Sequence, residues 1–311
     1  MSDGAGLQNV RRHAATALVA TAASWAAALP ERLALPFGAA LGGAAARCLR
    51  RRAGVALANL ELVLPDRSEA ERLAIWRSSC AELGRCAVEW ARLPTLSTEA
   101  LLERVEVVGL EHLAKAADLG RGVLAITAHY GNFEYIPAVV RARLPGARVS
   151  VVGRTMPTVA LQSMLEARRV RGGGAVIPQD ARAILRALRE GTIIGILIDH
   201  YTRERRGGVL APFLGVRAWT TAGPALLALR TGAPAVPLHI QRARDGQHRI
   251  EVEPPLELPQ SGDRERDVAV ATARMNEAVG RWICEDPVPW TWSHRRFRHS
   301  PDLEPPGKEA R

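Results

Sequence analysis

From Val105 onward the chain repeats one unit: a short β-branched apolar run, a polar turn, then apolar residues at helical spacing. Residues 105–108, 123–127, 149–152, 175–177, 192–198 and 235–241 read as strands. Residues 111–117, 158–169 and 181–190 read as helices between them, with Gly191 as a helix stop. Asp245-Gly246 marks a hairpin turn into a strand at 249–252. Strands separated by helices cannot all be joined by hairpins. The alternation therefore predicts an α/β fold: a mixed, mostly parallel sheet flanked by helices, with an antiparallel edge. A last amphipathic helix is expected over 263–285, with Val268, Ala271, Met275, Val279 and Trp282 on one face.

The chemistry-bearing stretch is Gly122-Val-Leu-Ala-Ile-Thr-Ala-His129-Tyr-Gly-Asn-Phe-Glu134. An apolar strand here runs into a turn and a helix start, and α/β folds place their reactive groups at that carboxyl edge. Five residues separate His129 from Glu134, about 140° on a regular helix. The two meet only if the chain folds back, and Gly131-Asn132 tolerates such a turn. A carboxylate on an imidazole fixes its tautomer and stabilises its cation, which makes a general base. Spacing alone also fits a capping glutamate beside a loop histidine. Asp199 follows the strand at 192–198 and so falls at a strand end too, where an aspartate can equally cap a turn.

This block resembles the His-x4-Asp/Glu motif of glycerolipid and lipid A acyltransferases, in the form typical of the lipid A biosynthesis (late) acyltransferase family. Pro212-Phe-Leu-Gly-Val-Arg-Ala-Trp-Thr-Thr-Ala-Gly223, Thr231-Gly-Ala-Pro-Ala-Val-Pro237 and Pro289-Trp-Thr-Trp-Ser-His-Arg-Arg-Phe297 resemble that family too, in its order. The similarity runs from about Ala34 to Pro301. It implies a glycerolipid acyltransferase-like fold and an O-acyltransferase with His129 as base and Glu134 as its partner. Its donor would be acyl carrier protein or acyl-CoA, and its acceptor a lipid A precursor. A lysophospholipid, an aminolipid or a glycosylated phospholipid are alternative acceptors. A thioester is already activated, so neither a protein nucleophile nor a metal or redox cofactor is implied. The resemblance also gives Asp199 a part in activity, as a residue beside the substrate, and it assigns Arg154, Arg168, Arg169 and Arg171 to substrate phosphates or the carrier protein.

The charge balance supports anionic partners. Net charge is +10, Lys115 and Lys308 are the only lysines, and seven arginines face the single Glu166 between Arg141 and Arg171. Biased codon usage would produce the same excess of arginine. No nucleic-acid module appears and the basic runs lack interleaved stacking aromatics, so nucleic acid is not an expected partner. A catalytically inactive basic membrane-binding protein is the competing class. Trp290, Trp292 and His294-Arg-Arg296 suit a membrane interface, or else the tryptophans are core. Cysteines 48, 80, 86 and 284 lack metal-ligand spacing and read as buried small hydrophobes.

Four regions are expected. Residues 1–49 form a tail and an apolar, membrane-associating segment, with runs at 14–29 and 33–46 between arginine clusters. Residues 50–97 are helical, and Ser68-Glu-Ala-Glu71 has the form of a capping box. Residues 98–301 carry the α/β domain, and 302–311 a disordered tail. The expected location is the cytoplasmic face of the inner membrane.

Overall fold

The computed structural model describes residues 29–153 and 175–303. The expected apolar run at 14–29, save its last residue, the helix at 158–169, Arg154, Arg168, Arg169, Arg171 and most of the tail lie outside them. Three helices come first: α1 (Glu31–Cys48), α2 (Arg50–Val63) and α3 (Glu69–Arg92). Then follow α4 (Thr98–Glu103), α5 (Leu110–Asp118), α6 (Ile136–Arg143), α7 (Ala181–Arg189), α8 (Gly223–Thr231) and α9 (Arg264–Glu285). The strands are β1 (Val105–Val108), β2 (Val123–Thr127), β3 (Val149–Gly153), β4 (Ala175–Pro178), β5 (Ile193–Leu197), β6 (Gly208–Phe213), β7 (Val216–Thr221), β8 (Ala235–Arg242) and β9 (His248–Val252).

Seven strands form one sheet in the order β1-β9-β8-β2-β5-β3-β4. Every neighbouring pair is parallel except β8 and β9, the hairpin that Asp245-Gly246 announced. β2 is central and all five of its residues are buried. Its alternate side chains feed two cores: Leu124 and Ile126 pack with Ile194, Met275 and Trp290, whereas Val123 and Ala125 pack with Leu113, Val139 and Val236. A strand covered on both faces needs a continuous apolar run rather than an alternating one, and 123–127 has it. β6 and β7 form a separate antiparallel hairpin that sequence signals did not announce. Its turn places Leu214 at φ 53 and Gly215 at φ 79, and leucine is an unusual occupant of such a turn.

The helical portion is built on two local devices. Ser68 caps α3 as a capping box: its Oγ accepts from the Glu71 N–H, and the Glu71 carboxylate accepts from the Ser68 N–H at 2.8 Å. α1 and α3 then cross backbone to backbone at Gly38, Gly42 and Gly84, where an added Cβ would overlap the opposing carbonyl oxygens. Gly42→Ala is therefore expected to destabilise the protein by about 1–3 kcal/mol, the usual range for overpacking. Gly54, on the open side of α2 with nothing within 4 Å, supplies the control. There alanine should stabilise by about 0.5–1 kcal/mol through helix propensity. Denaturant midpoints moving the same way for both substitutions would contradict the close crossing.

The outer face of α1 carries Leu33, Phe37 and Leu41 at four-residue spacing, exposed by 51%, 42% and 50%. No helix among the described residues is long and apolar enough to cross a membrane. The two readings of the tryptophans are resolved, and the expectation that all four cysteines are buried is corrected. Trp290 and Trp292 are 1% and 0% exposed, so they are core and not an interfacial belt. Cys80 is buried, but Cys48 and Cys284 are exposed.

Candidate active site

His129 and Asp199 stand just beyond the carboxyl ends of β2 and β5. These strands are parallel neighbours in register, with Thr127 opposite Leu197, so residues two places further on emerge side by side. His129 Nδ1 lies 2.8 Å from Asp199 Oδ1, and the His129 backbone N–H donates to Oδ2 at 3.2 Å. The Trp290 indole N–H donates to Oδ2 at 2.9 Å. The carboxylate is 1% exposed. Burial alone would push its pKa up. The charge and hydrogen bond of His129, the charge of His200 and the Trp290 hydrogen bond outweigh that and hold it well below the usual carboxylate range. An ionised Asp199 can only accept, so in the neutral imidazole Nδ1 carries the proton and Nε2 the lone pair. The His129 side chain is 26% exposed, open to a substrate on one side and tethered on the other.

The loop after β2 is locked from several directions. Gly131 has φ 56, and a Cβ there would overlap the Ile240 carbonyl oxygen, so only glycine fits. Tyr130 makes an antiparallel bridge with Trp290, and the Gly131 N–H donates to Pro289 O at 3.1 Å. Tyr130 Oη reaches the Trp282 and Asp286 carbonyls at the end of α9. The segment around Trp290 is held in turn by the helical portion. Ser79 Oγ donates to Trp290 O, and Asn59 Nδ2 donates to Trp292 O and His294 O, each at 2.8 Å.

Beneath the turn lies a buried ionic network. Glu89 of α3 accepts from Asn132 Nδ2 at 2.9 Å and from both Nη atoms of Arg242 at 2.7 and 2.8 Å. His248 Nε2 lies 3.0 Å from both Glu89 oxygens, and Arg242 Nε donates to Glu82 at 2.9 Å. On the other side of the site, Arg296 is fully buried with its guanidinium 4.4 Å from the Phe213 ring centroid. It donates to Trp219 O and Thr220 Oγ1, pinning the β6–β7 hairpin. Burial pushes its pKa down to about 10.

Two further imidazoles continue from His129. His200 stacks on it at 3.9 Å between ring centroids, and His294 stacks on His200 at 4.0 Å. Burial holds the His294 pKa down at about 4, so this ring is neutral near neutral pH. Among the described residues, His129, Asp199 and His200 are the group whose ligand atoms come within 4.8 Å of one another. A cation there would have to displace the three N–H donors that already occupy the Asp199 carboxylate.

The site residues expected from sequence are thus distributed as follows. His129 is at the mouth of the site. Glu134 is half-buried in the short turn Phe133–Tyr135, while the oxygen at His129 Nδ1 belongs to Asp199. Asp199, expected beside the substrate, is buried behind the imidazole. At the start of α8 the Gly223 N–H donates to Thr221 Oγ1 at 3.4 Å. His200, Glu89 and Asn59 had no site role assigned from sequence, and Trp290 none beyond interface or core. Only Trp290 had a signal, through its place in the Pro-Trp-Thr-Trp block.

Residues 6–299 match the family described as bacterial lipid A biosynthesis acyltransferase. The chain is 28% identical to the lipid A biosynthesis lauroyltransferase of Escherichia coli K12 over 280 residues, 89% of either chain. It is 27% identical to the lipid A biosynthesis palmitoleoyltransferase of the same strain, over 88% of this chain and 87% of that one. A phosphatidylinositol mannoside acyltransferase of Mycolicibacterium smegmatis is 29% identical over 69% of each chain. A histidine at a strand end, a buried carboxylate behind it and a match over nearly the whole length agree, and the chain belongs to the bacterial lipid A biosynthesis acyltransferase family.

Proposed function

We propose that this acyltransferase moves a fatty acyl group from a thioester, on acyl carrier protein or CoA, to a hydroxyl of a phosphate-bearing lipid, with a lipid A precursor as the leading acceptor. The observation that carries the mechanism is the His129–Asp199 pair. Nε2 takes the proton of the acceptor hydroxyl as its oxygen attacks the thioester carbonyl. The new C–O bond forms, the C–S bond breaks, and the proton returns to the departing sulfur. Asp199 stabilises the imidazolium in between. Such base catalysis contributes roughly 10²–10⁴-fold, and positioning supplies much of the rest. Glu134 adds a second acidic group in the turn that follows. Arg154, Arg168, Arg169 and Arg171 are assigned to substrate phosphates or the acidic carrier on charge and family resemblance.

The exposed Leu33, Phe37 and Leu41 stripe, followed by Arg47 and Arg50 to Arg52, supports docking of α1 into an anionic membrane surface without crossing it. We place that surface on the cytoplasmic face of the inner membrane. The likeness to a phosphatidylinositol mannoside acyltransferase keeps a glycosylated phospholipid as the second acceptor class.

Mass spectrometry of total lipids from cells with and without the protein tests this reading. One lipid is expected to gain a fatty acyl mass, and the purified protein should reproduce the transfer from an acyl thioester. Unchanged lipids together with no transfer from either donor would overturn it.

A further inference from the structure

α2 opens with Arg50, Arg51 and Arg52 and has no acidic residue in its first turn. That is the reverse of the electrostatic preference, because the amino end of a helix already carries partial positive charge. The C-terminal segment adds two more arginines at the same place, held there by the Asn59 bonds and by Arg52 Nη1 donating to Ser293 O at 3.4 Å. A cavity of ≈ 370 Å³ lies between, lined by Arg51, Arg52, Arg295, Arg298, Tyr201 and His294. Its lining holds no aspartate or glutamate, and among the described residues no carboxylate pairs with any of the four arginines. His294 Nδ1 is buried with no hydrogen-bond partner. Four exposed arginines lining one pocket without a counter-charge repel one another, and the arrangement suits an anion from outside.

The cavity is also tied to the chemistry. His294, on its wall, is joined to His129 by the two ring stacks through His200. We propose that this cavity is a phosphate subsite that holds the phosphate of the acceptor lipid and so positions its hydroxyl at His129. The assignment rests on the acyl-transfer reading above. Donor and acceptor both bring a phosphate, but in a pantetheine thioester it sits at the far end of a long flexible arm. In a phosphorylated sugar or glycerol lipid, phosphate and hydroxyl lie a few bonds apart, which suits a subsite two stacked rings from the base. The volume is several times the ~30 Å³ share of a water in the liquid, so a phosphate enters with part of the group that bears it.

The test uses the full chain in micelles, with the double variant R51Q/R298Q. Arg52 is spared because it also holds Ser293. R186Q/R189Q removes the same charge from exposed positions on α7 that do not line the cavity. With acyl carrier protein thioester as donor, R51Q/R298Q should raise KM for a monophosphorylated acceptor by about tenfold or more, with kcat and donor KM within about threefold. The control pair should leave all three unchanged, and enzymatic removal of the acceptor's phosphate should abolish the difference between the R51Q/R298Q variant and the unaltered protein. An unchanged acceptor KM overturns the subsite. A rise confined to donor KM assigns the cavity to the donor's phosphate and overturns the acceptor assignment. Equal effects of both pairs reduce it to bulk charge. Flotation with phosphatidylcholine vesicles containing phosphatidic acid separates this idea from the activity itself. If no acyl transfer occurs with any acceptor, selective loss of phosphatidic acid binding in R51Q/R298Q still supports a phosphate subsite while the acyl-transfer reading fails, and undiminished binding overturns both.

Discussion

His129→Ala is expected to lower acyl transfer by about 10²-fold or more with the fold intact, since it removes the atom proposed to accept the hydroxyl proton. Asp199→Asn should cost on the order of 10³-fold, although it changes almost no volume. The carboxylate accepts three N–H groups, whereas an amide offers one oxygen and turns its own N–H donors toward the rest. Relief comes when Nδ1 gives up its proton and accepts, which moves the proton to Nε2 and silences the base. The double variant should be little worse than His129→Ala, because the two groups act as one unit. Glu134→Gln, which leaves Nδ1 on Asp199, should cost less than Asp199→Asn. Steady-state transfer assays on proteins with unchanged thermal midpoints decide these points. A well-folded His129→Ala protein that still transfers acyl groups at a near-normal rate would sink the mechanism.

Glu89→Gln is expected to destabilise the protein by about 3–5 kcal/mol, the range for breaking a buried ion pair by removing one partner. Arg242 would keep only Glu82, and His248 would lose its carboxylate. A pH signature accompanies this. Burial raises the Glu89 pKa, but hydrogen bonds and charges from His248 and Arg242 outweigh it, holding the group at about 2 against an ordinary 4.5. Its folded value is depressed, so its stabilisation is complete above pH 4.5 and is lost as pH falls toward 2. That shift is worth about 3 kcal/mol. Denaturant midpoints measured from pH 7 to 2 should therefore fall more steeply for the native protein than for Glu89→Gln. Parallel curves would mean that the network contributes nothing through ionisation. Because Glu89 also accepts from Asn132, the variant should slow transfer as well.

The sequence reading went furthest where the information is local. Residues 123–127 carry an unbroken apolar run and became the central strand. Ser68 and Glu71 three apart became a capping box, and Asp245-Gly246 became the β8–β9 turn. The site, by contrast, depends on which strands are neighbours. His129 and Asp199 are 70 positions apart, and nothing in either segment states that β2 and β5 pair in register. Glu134 was paired with His129 through the His-x4-Glu motif, while spacing alone also allowed a capping glutamate. Trp290 could be read as interface or core; it is core, and that its N–H serves a carboxylate from another strand was not legible. Glu89 was hidden for a similar reason. A glutamate on an amphipathic helix looks like solvent face until Arg242 and His248 arrive from β8 and β9. The β6–β7 hairpin turns at Leu214-Gly215, outside the usual Asn-Gly signature, so no local rule marked it.

The clasp between Tyr130 and Trp290 has a consequence for the order of assembly. The base is made early in synthesis, and its carboxylate some seventy residues later. The strand-like partner that braces the loop and donates to that carboxylate belongs to the last tenth of the chain. Ser79 and Asn59, made before any of them, must wait for the same late segment. A ribosome-bound chain therefore carries His129 and Asp199 long before it can hold them rigidly, and partial folding leaves the pair loose. Closing these longest contacts, slow by nature, completes the site last.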